Sequence, residues 1–166
     1  VLLTVRGEGY RLLPPNQQPT PTGNLRSPPA LVGRDEEQAT LQRLWSEGGV
    51  LSIIGQGGVG KTALACGFAV EEYVRGGCGE VWFLDLTPAR RLSDILRLTQ
   101  RTLQASVSGS STLELLGALG RWLQGRPRPL VIVDNCEQVV EDAARAIGAW
   151  SAAAPEARFV ATSRQP

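Results

Sequence analysis

Gly55-Gln56-Gly57-Gly58-Val59-Gly60-Lys61-Thr62 decides the reading of this chain. The octet fits the pattern G-x-x-x-x-G-K-[ST], a phosphate-binding loop. Its glycines let backbone N–H groups turn inward as an anion-binding nest. A helix opening at Lys61, with Ala63 in its first turn, adds the positive end of its dipole. Lys61 is the mobile point charge that reaches the β- and γ-phosphates. The Thr62 hydroxyl suits Mg²⁺, which keeps most of its water. Gly55 to Ala63 is therefore expected to bind ATP or ADP with Mg²⁺.

Working outward, the apolar run Val50–Ile54 precedes the loop as a strand, and an amphipathic helix follows to about residue 75. Further strands are expected at 80–86, 129–133 and 158–161, with helices at about 91–105, 112–124 and 137–154. Asp35 or a neighbour can cap an earlier helix carrying Ala39, Leu41, Leu44 and Trp45. Strands alternating with helices predict an α/β fold, a P-loop NTPase three-layer sandwich around a parallel sheet.

Ligands of such sheets sit beyond the carboxyl ends of the strands. Leu130-Val131-Ile132-Val133-Asp134 puts an acid there, and Asp134 is the expected second holder of the Mg²⁺ shell beside Thr62. A water-activating carboxylate often comes next, but position 135 is an asparagine, which has no basicity. Glu137 is the nearest substitute, or it simply opens the next helix, where acids are favoured. Whether the bound triphosphate is hydrolysed slowly or only exchanged stays open at this level. Arg164, at the end of Ala161-Thr162-Ser163-Arg164, is placed to reach a γ-phosphate.

Of 166 residues, 42% are apolar and 20% charged, with a net charge of +1, so composition describes an ordinary globular chain. Without histidine it can build neither a His metal site nor a Ser-His-Asp triad. Three cysteines at no metal-like spacing fit reduced thiols in the cytoplasm. No apolar run approaches the roughly 18 residues needed to cross a bilayer, so no membrane partner is expected. Residues 1–13 alternate around Gly7-Glu8-Gly9 like a β-hairpin. Six prolines in 14–30 mark a stiff linker. The chain opens on Val1 and reads as a piece of something longer.

Four segments together resemble a bacterial transcriptional regulator with a signal-transduction (STAND, NB-ARC-like) ATPase core. They are Leu31-Val32-Gly33-Arg34-Asp35, the doubled-glycine phosphate loop, Leu130 to Val139, and Ala161-Thr162-Ser163-Arg164. The resemblance implies that Val32, Gly33 and Arg34 touch the adenine and that Arg164 senses the γ-phosphate. Thr4 to Leu12 is similar to the final wing of a winged-helix DNA-binding domain, which makes Arg6 the implied DNA contact. Residues 1–14 would then be a truncated wing, 15–30 the linker and 31–166 the nucleotide core, cut before its lid. DNA would be bound by a full-length winged helix and not by this fragment alone. Nucleotide-dependent self-association is a further implication.

The implied function is an ATP/ADP-controlled switch, with Lys61, Asp134, Glu137 and Arg164 as the residues that would take part in any chemistry. The competing reading is a P-loop enzyme with real turnover, such as a small-molecule or nucleotide kinase. That would need an arginine-bearing lid; Arg90, Arg91 and Arg97 read instead as a solvated helix face. No Leu-Ser-Gly-Gly-Gln or Asn-Lys-x-Asp motif points to a transporter ATPase or a GTPase.

Overall fold

The structure, a computed structural model, describes residues 2–5, 9–12, 21–25, 33–46 and 48–164. Arg6 and Val32 lie outside the described residues. Near the start, β1 (Leu2–Val5) and β2 (Gly9–Leu12) pair antiparallel, from Leu2↔Leu12 to Val5↔Gly9. This is the hairpin that the alternating pattern predicts.

A second sheet has four parallel strands: β3 (Val50–Ile54), β4 (Glu80–Asp85), β5 (Pro129–Asp134) and β6 (Arg158–Ser163). Their order is β3-β6-β5-β4. The helices are α1 (Asp35–Ser46), α2 (Lys61–Val74), α3 (Leu92–Thr102), α4 (Thr112–Gln124) and α5 (Val140–Ala153). Every residue of β5 is buried, because successive side chains enter two different cores. Leu130 and Ile132 join Trp45, Phe68 and Val160 beneath α1 and α2. Val131 and Val133 join Ile95, Leu119, Trp150 and Phe159 beneath α3, α4 and α5. Helices on both faces make three layers, as expected. Each fully buried large side chain contributes about 1.5–3 kcal/mol. Among the described residues, no helix is long and apolar enough to cross a membrane.

The expected helix over 137–154 is divided. Asn135 adopts a left-handed conformation (φ 62°, ψ 50°), and a 3-10 turn, Cys136–Gln138, precedes α5. Left-handed backbone is disfavoured for most side chains and tolerated by asparagine, so the residue type suits the turn. Arg90 also departs from the reading as part of a solvated helix face. It precedes α3, and its guanidinium donates to the carbonyls of Thr87 and Ala89 and to Gln138 Oε1. Held this way, Arg90 is a clamp on the loop after β4.

Part of the proline-rich stretch read as linker belongs to the sheet. The Val81 amide donates to Thr22 O at 2.8 Å, and Gly23 bridges to Val81 in parallel. Asn24 Nδ2 donates to Phe83 O at 2.9 Å while its Oδ1 accepts from the Phe83 amide at 2.6 Å. Leu25 is buried among the α1–α2 core residues. The otherwise free edge of β4 is thus covered, a common protection against edge-to-edge pairing. Composition hides this because the pairing runs through one carbonyl and one side-chain amide, with no strand periodicity. Gly23 has φ +128°, and a Cβ there would sit 1.9 Å from Val81 O. Gly23→Val should therefore release residues 21–25 and speed hydrogen exchange at Val81 and Phe83 by about tenfold, the loss of roughly one backbone hydrogen bond's protection. Unchanged exchange at both amides would contradict this docking.

Candidate functional site

The phosphate loop joins the C-terminal end of β3 to α2. Gly58 (φ +80°) and Gly60 (φ +88°) take left-handed conformations that fold the loop back on itself. Gly60 is the N-cap of α2 and offers no side-chain cap, and the first turn of α2 holds no acid. The first turns of α1, α3, α4 and α5 all carry acids. Alone among these five, α2 carries no acid of its own in the first turn and no side-chain cap, which suits its N-terminal amides to an external anion.

Lys61 Nζ donates to Gly55 O at 2.8 Å and Gln56 O at 2.9 Å, so its charge lies within the loop. Arg34, immediately before α1, clamps the loop. Its guanidinium donates to Val59 O and to Glu37 Oε1, both at 2.6 Å. The hydrogen bond from Arg34 holds the Glu37 carboxyl below the ordinary range. Gly33, Arg34 and the loop thus lie in one neighbourhood; Ala63 sits in the first turn of α2.

Because β6 lies between β3 and β5, its end stands between the loop and Asp134. The Gly55 amide donates to Ser163 O at 3.3 Å, tying the loop to β6. Asp134 is 3% exposed. Thr62 Oγ1 donates to its carboxylate, 2.9 Å from Oδ1 and 3.0 Å from Oδ2. Thr162 Oγ1 donates to Oδ1 at 2.5 Å and accepts from the Asn135 amide at 3.1 Å. Thr62 and Asp134, 72 positions apart in the chain, are therefore in contact. One hydroxyl and one carboxylate are the hard oxygen donors that Mg²⁺ takes, the rest coming from water and phosphate. Among the described residues no cluster of three or more Asp, Glu, His or Cys could hold a metal ion.

Glu137 and Arg164 are brought together. Arg164 Nε donates to Glu137 Oε1 at 2.9 Å. A Cβ on Gly57 would stand 3.6 Å from the Arg164 guanidinium carbon, so the pair borders the loop. Glu137, the expected substitute base, is occupied by a cation. Asn135 Nδ2 faces Asp85 Oδ1 at 2.9 Å, Thr87 Oγ1 at 3.0 Å and Asp134 Oδ2 at 3.2 Å.

Sequence reading did not single out Asp85, and it assigned Thr162 no role of its own. Asp85 ends β4 as Asp134 ends β5, so the strand-end rule applied to each strand would have found it. Burial works to raise the Asp85 carboxyl, but hydrogen bonds from Thr87 and Asn135 outweigh it and leave the carboxyl below its usual range. The three thiols are unpaired and buried. Burial, reinforced by Asp134, pushes Cys66 up to about 11 and Cys136 to about 12. Burial, reinforced by Glu72, likewise takes Cys78 to about 12. None of them is a thiolate nucleophile near neutral pH.

Residues 42–159 match the family model described as the AAA domain. Proteins of Mycobacterium tuberculosis and Mycobacterium bovis that carry the provisional name HTH-type transcriptional regulator are 31% identical over 127 residues, 76% of this chain. The chain spans 14% of the length of these curated relatives. Among solved structures, the Aeropyrum pernix ORC2 protein in its ADPNP–ADP complexes superposes with a TM-score of 0.63 at 23% identity, over 86% of this chain and 44% of that one. Cdc6p of Pyrobaculum aerophilum gives 0.58 at 16% identity, over 86% and 42%. At these identities the two likenesses concern the fold.

Proposed function

From a chain that belongs to the AAA domain family, we propose a nucleotide-responsive regulatory domain of a transcription regulator, binding ATP or ADP with Mg²⁺ and turning over slowly or not at all. One observation carries the reading: Thr62 and Asp134, from separate elements, meet at 2.9 Å beside a loop with an uncapped helix terminus. Lys61 and the amides of Gly55 to Ala63 bind the phosphates. Thr62 and Asp134 orient Mg²⁺, which supplies charge neutralisation at the phosphate tail. Gly33 and Arg34, and Val32 by the resemblance, border the base. The ORC2 structure with ADPNP and ADP supports the adenine choice by likeness of fold.

The regulatory part rests on the ion pair. Glu137 holds Arg164 at the loop while no γ-phosphate competes for it, and Arg164 changes partner when one does. A switch needs different affinities in two states, not turnover. Neither position after Asp134 supplies a free base: residue 135 is an amide engaged with Asp85, and the Glu137 carboxylate is paired with Arg164. The named relatives support a place beside a DNA-binding domain. There β1 and β2 would serve as the wing of a winged helix, Arg6 would contact the DNA backbone or groove edge, and the nucleotide core would be of the STAND, NB-ARC-like type. Self-association driven by nucleotide, and a cytoplasmic location suited to buried free thiols, complete the proposal.

Calorimetry with ADP, ATP and GTP, each with and without Mg²⁺, tests it. Both adenine nucleotides should bind and GTP should bind more weakly. Glu137→Gln keeps the volume and removes the charge, so ATP should gain on ADP by about fivefold, the worth of a partly exposed ion pair. An unchanged ATP/ADP ratio in that variant would remove the sensor role. Steady phosphate release near roughly 1 s⁻¹ or faster would favour a turnover enzyme instead.

A further inference from the structure

Asp85 and Asp134 are direct partners across the parallel strands β4 and β5. Two carboxylates so placed repel each other. The Asn135 amide nitrogen lies between them, 2.9 Å from Asp85 Oδ1 and 3.2 Å from Asp134 Oδ2. It has two hydrogens for three acceptors, Thr87 Oγ1 being the third. Asp85 Oδ1 is fixed in turn by the Thr87 amide at 2.9 Å and by Thr87 Oγ1 at 2.6 Å. The loop carrying Thr87 is clamped by Arg90 and by Gln138 Nε2, which donates to Leu86 O at 3.0 Å. A rigid series thus runs from the loop after β4 through Asp85 and Asn135 to the buried Asp134.

We propose that Asp85 and Asn135 are positioning residues: Asp85 orients the Asn135 amide, which holds the Asp134 carboxylate towards Thr62 and so sets how strongly Mg²⁺ enhances nucleotide binding. This rests on the reading of the Thr62–Asp134 pair given above. Asn135 is then present for two physical reasons, its left-handed backbone and its neutral double donor. A carboxylate in its place would set three negative charges side by side. The residue that first reads as a missing base is the one that keeps two acids together.

The test measures ADP binding by calorimetry in Mg²⁺ and in EDTA, and takes the ratio of the two dissociation constants. Asn135→Gly keeps the left-handed turn and deletes only the amide. Asp85→Ala deletes the acceptor, while Asp85→Asn keeps an oxygen in the same place. Asn135→Gly and Asp85→Ala should each cut the Mg²⁺ enhancement about tenfold, the usual cost of losing a partner that orients a metal ligand. Binding in EDTA should stay within about twofold, and Asp85→Asn should keep most of the enhancement. A merely structural role would lower binding in both conditions alike, and that result overturns the proposal. So does an unchanged ratio in both deletion variants, or an Asp85→Asn that behaves like Asp85→Ala. If the unmutated chain bound ADP with no Mg²⁺ enhancement, the Thr62–Asp134 reading would fail first and this one with it.

Discussion

Lys61→Ala is expected to lower the affinity for ATP and ADP by about 100-fold, the cost of removing a charged donor from phosphate oxygens. Among the described residues, Lys61 is the cation whose ammonium lies inside the loop, between Gly55 O and Gln56 O. Those two carbonyl contacts place it before any ligand arrives, so little ordering cost falls on binding. They are also partly exposed, and the folded chain should lose no more than about 3 °C of melting temperature with them. Calorimetry paired with thermal melting separates the two effects. A variant that melts like the unmutated chain and still binds ATP normally would rule out the loop as the nucleotide site.

The second large effect belongs to Asp134. In Asp134→Asn, the difference between binding in Mg²⁺ and in EDTA should nearly vanish, while the EDTA value moves little. The amide keeps the carboxylate's shape. Its oxygen can accept from Thr62 and Thr162, whose hydroxyls already point there. Its nitrogen would face Asn135 Nδ2, which has closer partners in Asp85 and Thr87. The stability cost is therefore about 1–2 kcal/mol. What is lost is the negative charge, and only a cation senses that strongly. Retention of the full Mg²⁺ enhancement would mean that the metal, if bound, sits elsewhere.

These expectations differ in how visible they were before the chain was folded. The loop was legible because its chemistry is local: eight consecutive residues carry the glycines, the cation and the hydroxyl. Asp134 was legible because a buried strand ending in an acid is a linear pattern. Glu137 was visible as an acid, but its condition was not. Its pairing with Arg164, 27 positions away, depends on β6 lying beside β5. Asp85 went unnoticed because its partner at 135 is 50 positions away and because the strand-end rule was applied to one strand only.

By itself, the sequence determined what repeats along the chain or acts within a turn: alternating strands and helices, the phosphate loop and the hairpin. Hydrophobic period and backbone permissiveness are short-range properties, so no knowledge of neighbours is needed to read them. Tertiary structure alone decided the order β3-β6-β5-β4. That order puts Thr162 and Arg164 between loop and acid, sets Asp85 against Asp134, and lets residues 21–25 cover the edge of β4. Each of these depends on which strands are neighbours. Lateral pairing is chosen by the packing of helices on both faces, and no stretch of sequence carries it alone.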